Sequence, residues 1–170
     1  MTRRLAFVFL LLLTIGLQTA HAQSPVASPF AGLSFLLGTW DAIPDPVSGT
    51  GSCTFAMDLQ GHAIIRTNHA DTPAANGRPA AKHDDLMVIY MEGATIKADY
   101  YDNEDHVIRY VITTPSPNVA VFLSPGSATA PGYRLTYTLD GPKVVSGQFD
   151  LSAPGTATFA TYLSWKMNKR

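Results

Sequence analysis

The feature that most constrains the fold is an alternation of apolar and polar residues with a period of two, repeated along most of the chain. Runs such as DLMVIYME, HVIRYVITT and YRLTYTLD are rich in the β-branched and aromatic residues that favour strands. No long stretch carries the i, i+3, i+4, i+7 spacing of an amphipathic helix. The pattern therefore predicts an all-β chain of about ten strands, beginning with a short strand over Gly38–Ile43.

Short turn sequences between these runs predict how the strands are connected. Segments such as Glu92-Gly93, Asp102-Asn103 and Asp140-Gly141-Pro142 supply the backbone angles of tight reversals. Connections this short make neighbouring strands antiparallel, and an open sheet of that size would leave two edges exposed. We therefore expect an up-and-down antiparallel β-barrel, with a β-sandwich as the alternative. The segment Asp71–Lys82, DTPAANGRPAAK, predicts the one long loop.

The N-terminus has the pattern of a secretory signal peptide. Arg3 and Arg4 precede an apolar run, which is followed by the small-x-small sequence Ala20-His21-Ala22. The apolar run is shorter than the roughly 20 residues that a membrane-spanning helix needs. We expect residues 1–22 to be a cleaved leader, residues 23–30 (QSPVASPF) a flexible linker and residues 31–170 the folded domain of a periplasmic or secreted bacterial protein.

Charge and cysteine content narrow the class of protein further. Removing the leader takes two of the 12 basic residues and none of the 13 acidic ones, which leaves ten against 13 and a net charge of −3. The remaining basic residues are scattered singly, so the sequence lacks the basic face that nucleic-acid binding requires. The lone Cys53 cannot form an internal disulfide, and its place among Phe55, Met57 and Leu59 predicts a small buried side chain.

The segment FLLGTW, residues 35–40, resembles the Gly-x-Trp signature that opens the first strand of lipocalins and their calycin relatives. The resemblance extends to a group of small bacterial exported lipocalin-like proteins through residues 84–113 and the ending FATYLSWKMNKR. It implies a barrel with a central cup, in which a short segment and Gly38 lead into the first strand and Trp40 lies across the closed end. The chain stops just after its last predicted strand, so we expect no C-terminal helix. The resemblance implies no particular ligand.

Cationic and phenolic side chains within apolar strands are the candidate ligand-binding residues. A buried arginine is costly unless it is paired, and a ligand carboxylate could pair with it while tyrosine hydroxyls complete the contact. The alternatives for the arginines are an outward orientation, a partner such as Asp58 or Asp99, or stacking on Trp40. The candidates are Arg66, Tyr90, Tyr100, Arg109 and Tyr137.

Motifs for other chemistry are weak in this sequence. The four histidines beyond the leader lack His-x-His spacing, and no Gly-x-Ser-x-Gly sequence is present, so we expect no metal site, no cofactor and no enzyme. The leading interpretation is a barrel that binds a small, largely apolar or amphipathic molecule in its cup. The alternatives are a filled barrel that serves as a structural or interaction module of the cell envelope and, third, a barrel enzyme or haem protein. The sequence leaves the oligomeric state open.

Alternation also predicts which residues share a face. Tyr133, Leu135, Tyr137 and Leu139 should share one face of their strand. Near the C-terminus, the same argument places Phe159, Thr161, Leu163 and Trp165 on a single face.

Overall fold

Ten strands form one antiparallel sheet in the structure, which is a computed structural model that describes residues 28–44, 49–74, 77 and 79–170. The strand count and the short first strand agree with the sequence pattern. The strands are β1 (Gly38–Ala42), β2 (Thr50–Asp58), β3 (Ala63–Thr72), β4 (Ala81–Glu92), β5 (Thr95–Asp102), β6 (Val107–Ser116), β7 (Val119–Ser124), β8 (Gly132–Gly141), β9 (Val144–Ser152) and β10 (Phe159–Lys169).

The sheet closes into an up-and-down barrel, as predicted. Each strand pairs with its neighbour in sequence, and β1 pairs with both β2 and β10. β10 continues to Lys169, so the described chain ends in a strand and not in a helix. Closure removes the exposed sheet edges that an open sheet of this size would have.

The predicted loop over Asp71–Lys82 is shorter in the structure. β3 continues to Thr72 and β4 begins at Ala81, because Asp71 and Lys82 pair across the two strands in regular register. The predicted leader, residues 1–22, and most of the linker lie outside the described residues. Ser28–Phe30 form a turn, and Phe30 at its end is buried in the core.

A 3₁₀ turn, Ala31–Leu36, covers one end of the barrel. It leads into β1 through Gly38, whose φ of +116° suits glycine, and it contacts β6, which lies on the opposite side of the ten-stranded ring. Leu33 and Leu36 are fully buried, and the indole Nε1 of buried Trp40 donates a hydrogen bond of 2.7 Å to the Leu36 carbonyl. We call this the closed end, and we call the other end, where β2 begins and β5 ends, the open end.

A β-bulge in β10 changes the predicted face of that strand. Thr161 pairs with Asp150, but Leu163 pairs with the next residue, Phe149, so one extra residue enters β10. Phe159 and Thr161 therefore face outward, whereas Leu163 and Trp165 face the interior, and the prediction that all four share one face is wrong. Alternation alone could not show this, because the bulge shifts the phase within an otherwise regular pattern.

Among the described residues, no helix is both long enough and apolar enough to cross a lipid bilayer.

The packing of Trp165 against Gly147 generates the first prediction. A Cβ added at Gly147 would lie 2.3 Å from the Trp165 ring, whereas nothing lies within 4 Å of the same position at Gly141. We expect Gly147→Ala to lower the free energy of unfolding by about 1–3 kcal/mol, because the added methyl group would force the Trp165 ring to shift from its contact with buried Tyr137. Gly141→Ala is the matched control and should change it by less than about 0.5 kcal/mol. Denaturant unfolding measures both values, and equal values for the two variants would contradict the packing argument.

Candidate functional site

Arg66 lies inside the barrel and forms a buried ion pair. Its side chain faces inward from β3 between Phe55 of β2 and Met87 of β4, and the residue is 5% exposed. Its Nη1 donates to Oδ1 of Asp85, and the guanidinium lies 5.9 Å from the centroid of the Phe55 ring. Asp85 neutralises the buried charge of Arg66 and so offsets the cost of removing it from water. Asp85 was not among the candidates that the sequence indicated.

Four further polar side chains extend this pair towards the open end. Asn68 donates to Oδ2 of Asp85 at 2.9 Å, and His83 Nε2 lies 3.4 Å from the same oxygen. His83 Nε2 is also 3.0 Å from the Tyr100 hydroxyl, which donates to Asp102 at 3.1 Å. Hydrogen bonds thus connect the barrel interior to the β5–β6 turn.

Two charge states within this network follow from its contacts. The hydrogen bond to Asp85 is the main reason that the pKa of His83 rises from its ordinary 6.5 to about 9, and Glu104 adds to the effect. Burial would raise the pKa of Asp102, but hydrogen bonds from the backbone and side chain of His106 outweigh it and lower that pKa. At neutral pH, His83 is therefore a cation and Asp102 an anion.

Two buried polar atoms in the described interior have no hydrogen-bond partner: Nε of Arg66 and the hydroxyl of Tyr137. Both side chains contact Phe55, whose ring centroid is 5.6 Å from that of Tyr137. Burial raises the pKa of the Tyr137 phenol, so the hydroxyl stays neutral and can donate. An unpaired buried polar group costs about 1–3 kcal/mol, which makes two of them beside one ring an unusual arrangement.

Of the remaining candidates, Tyr100 faces the interior, but Arg109 and Tyr90 do not. On β6 the inward positions belong to Ile108, Tyr110 and Ile112, so Arg109 faces outward and its side chain is 83% exposed. Tyr90 also faces outward, and its hydroxyl is 3.5 Å from Asp99, the carboxylate nearest to Arg109. Both were expected to anchor a ligand, and their strand phase excludes them from the interior.

The interior is filled in the half towards the closed end, and its side chains are less buried in the half towards the open end. Towards the closed end, Trp40, Phe55 and Tyr137 are fully buried and fill the barrel. Towards the open end, inward-facing Tyr133 and Phe149 are only half-buried, and their rings stack at 6.1 Å. We call this open half the cup; its rim carries Tyr100, Tyr133, Phe149 and Leu163, and its floor Arg66 and Asp85.

Two pockets lie outside the cup. One, of about 450 Å³, is at the ends of β2, β3 and β4 beside Pro44 and Pro73. The other, of about 540 Å³, is a groove on the outer side of β7–β10 lined mainly by hydroxyl, amide and charged groups. Among the described residues, no group of three or more His, Cys, Asp and Glu side chains could hold a metal ion.

Sequence reasoning missed Asp85, His83 and Asn68. None of the residues of the stretch KHDD, 82–85, was among the candidate binding residues. The available signal was spacing within the predicted hairpin: Asn68 pairs with Asp85, and Arg66 lies two residues away on the same inward face. Cys53 is buried as expected, and burial raises its thiol pKa.

Comparison with known proteins identifies no family. No protein-family model matches the chain, and no curated protein matches it. The solved structures similar to the chain include EF1p2_mFAP2b bound to DFHBI, with 11% sequence identity and a TM-score of 0.29, covering 85% of this chain and 100% of that one. At that identity and TM-score, the likeness carries no argument about the ligand of this chain.

The buried ion pair generates the second prediction. Asp85→Asn should lower the free energy of unfolding by about 3–5 kcal/mol, because it leaves the Arg66 charge buried without a counter-ion. Asp99→Asn is the matched control, since Asp99 meets the exposed Arg109, and it should cost less than about 1 kcal/mol. Equal losses in denaturant unfolding would show that Arg66 does not depend on Asp85.

The raised pKa of His83 generates the third prediction. Because the pKa is about 9 in the folded protein and ordinarily 6.5, the stabilisation from His83 is complete below pH 6.5 and is lost as the pH rises towards 9. The decrease in unfolding free energy over this range should be smaller in His83→Gln than in the wild type. His62→Gln, at an exposed position, should retain the full decrease. The measurement is denaturant unfolding at a series of pH values, and an unchanged decrease in His83→Gln would contradict the assignment.

Proposed function

We propose that this protein is an exported, lipocalin-like barrel that binds a small, largely apolar molecule in the cup. Arg66 and Tyr137 provide the polar anchor for that molecule. The observation that carries the proposal is the pair of unpartnered buried atoms, Arg66 Nε and the Tyr137 hydroxyl, below a rim of half-buried aromatic side chains. Export is supported by the leader-like residues 1–22, and the lipocalin likeness by FLLGTW and by the closed barrel.

The chemistry of the anchor defines the polar end of the ligand. Arg66 Nε–H and the neutral Tyr137 hydroxyl can both donate, so the ligand should offer an acceptor oxygen, such as that of a carboxylate or carbonyl group. Asp85 already accepts hydrogen bonds from Arg66 Nη1, Asn68 and His83. The Arg66 Nε–H therefore remains available to a ligand. The remainder of the ligand should be apolar, because Ile108, Leu135 and Phe149 line the cup above the anchor.

The filled half of the interior limits the size of the ligand. Trp40, Phe55 and Tyr137 occupy the space towards the closed end, so a ligand would occupy the cup and end at the anchor. Entry of its polar group to Tyr137 requires side chains of the cup to move; half-buried Tyr133 and exposed Leu163 are the ones we expect to do so.

Among the remaining alternatives, an enzyme has one observation in its favour. His83 lies beside the carboxylate of Asp85 at the mouth of the cup, and its pKa is shifted. The shift is towards about 9, which keeps His83 protonated at neutral pH and removes its ability to act as a general base. His83 therefore suits the role of a fixed positive charge near the anchor better than that of a proton acceptor.

The anchor generates the fourth prediction. Laurate should bind the protein, and dodecanol, its neutral counterpart, more weakly. Tyr137→Phe should weaken laurate binding about tenfold, because one charge-assisted hydrogen bond is lost. The same variant should keep or slightly increase the free energy of unfolding, since the hydroxyl has no partner in the protein.

Tyr90→Phe is the matched control, because Tyr90 loses the same atom from the outer side of the barrel. Calorimetric titration gives the affinities. Native mass spectrometry of protein purified from its own host reveals a co-purifying molecule. Failure of the wild type to bind either probe, together with no co-purifying molecule, would contradict ligand binding; equal laurate affinity in Tyr137→Phe would contradict the anchor alone.

A further inference from the structure

The outer side of β4–β7 carries rows of apolar side chains, with charged side chains between them. Large apolar side chains usually face the interior of a small barrel, yet seven of them point outward here. Five are exposed to between 38% and 56% of their area, and the other two, Val88 and Tyr90, are partly exposed. We call this surface the apolar outer face; it consists of Leu86, Val88, Tyr90, Tyr101, Val107, Val111 and Leu123.

Strand register places these side chains next to one another. Leu86 pairs with Tyr101 and Tyr101 with Val107, which forms a row across three strands near the open end. A second row, further towards the closed end, joins Val111 to Leu123 across β6 and β7. Exposed apolar side chains grouped in rows favour an interaction site, because scattered single side chains would not be neighbours.

The opposite side of the barrel shows that this is not a general property of the exterior. Most outward positions of β8–β10 carry hydroxyl, amide and charged groups, although Phe159 and Val144 also face outward, and Arg134 there pairs with Asp150 at 2.9 Å. The outer surface over β4–β7 is therefore more apolar than the outer surface over β8–β10. If the whole outer surface met only water, we would expect polar outward positions on both groups of strands.

Charges within the apolar outer face indicate which partner fits it. Arg109 and Asp99 are direct cross-strand neighbours between the two apolar rows, 3.9 Å apart at their closest atoms. Beside them, Lys97 pairs with Glu92. The face thus carries equal numbers of positive and negative groups, which gives no attraction to an anionic membrane or to nucleic acid.

We propose that the apolar outer face is a homodimer interface, covered by a second copy of this chain. In an isologous dimer the same surface meets itself, so Arg109 of one copy can face Asp99 of the other, and Asp99 of the first can face Arg109 of the second. An arginine whose side chain is 83% exposed can make that contact without refolding of the sheet. The apolar rows above and below these charges then lose their contact with water.

Complementary charge reversals test the proposal. The complete chain is expressed and purified as the wild type, as Arg109→Asp and as Asp99→Arg, each with a wild-type circular dichroism spectrum. Each variant alone places like charges across the dimer axis, so sedimentation velocity should show its dimer Kd raised about tenfold or more. Mixing the two variants restores opposite charges, and the mixture should form heterodimers with a Kd within about threefold of the wild-type value.

A charge in the apolar part provides a second, independent measurement. Val107→Lys, at the most exposed apolar position of the face, should also raise the dimer Kd about tenfold or more. Thr138→Lys adds the same charge on β8, outside the apolar outer face, and should leave the Kd unchanged. A wild-type chain that is monomeric at its highest soluble concentration overturns the proposal, as does a dimer that none of the face variants weakens. Binding of wild-type monomers to vesicles, with no dimer formed, would also overturn it and assign the face to a lipid surface.

Discussion

Closure of the barrel through β1 is the constraint on which the rest of the structure depends. β1 pairs with β10 at only three positions, the fewest of any strand pair in the barrel. Other contacts support this short seam: the guanidinium of Arg170 binds the carboxylate of Asp41, and the Lys169 ammonium lies 5.1 Å from the Trp40 ring centroid. Trp40 also holds the 3₁₀ turn through its hydrogen bond to Leu36. The Gly-x-Trp segment therefore connects the seam, the first strand and the closed end.

A closed barrel removes most inward side chains from bulk water, and this determines how its polar residues are arranged. Arg66 is tolerated there because Asp85 neutralises it, and Asp85 in turn is held by Asn68 and His83. The network continues through His83 and Tyr100 to the Asp102 carboxylate near the β5–β6 turn, which also accepts from His106. Arg66 Nε and the Tyr137 hydroxyl are the two atoms of the described interior that have no hydrogen-bond partner, and they lie where the filled half of the interior meets the cup. A binding site retains such unpaired groups, because a ligand can satisfy them.

Strand periodicity was sufficient to predict the all-β class, the strand number and the closed architecture, because these depend on patterns repeated in every strand. It was insufficient where one local event changed the phase, as the bulge between Thr161 and Leu163 does in β10. Arg66 and Arg109 show a second limit. Both lie within apolar runs whose two faces are similarly apolar, so the choice between inside and outside depends on a partner elsewhere in the chain. Asp85 provides that partner on the inside for Arg66, whereas Asp99 meets Arg109 on the outside.

The ambiguity of Arg109 has a physical origin that also bears on function. Strand phase could not be determined from β6 because its outward residues Val107 and Val111 are as apolar as its inward ones. In a barrel whose outer surface met only water, outward positions would be polar and the phase would be evident, as it is for Arg134, Thr136 and Thr138 on β8. The apolar outward residues of β6 therefore explain both the ambiguous phase in the sequence and the exposed apolar rows in the fold. Proteins that bury both sides of a strand have this composition, and here the interior covers one side while a second copy of the chain would cover the other.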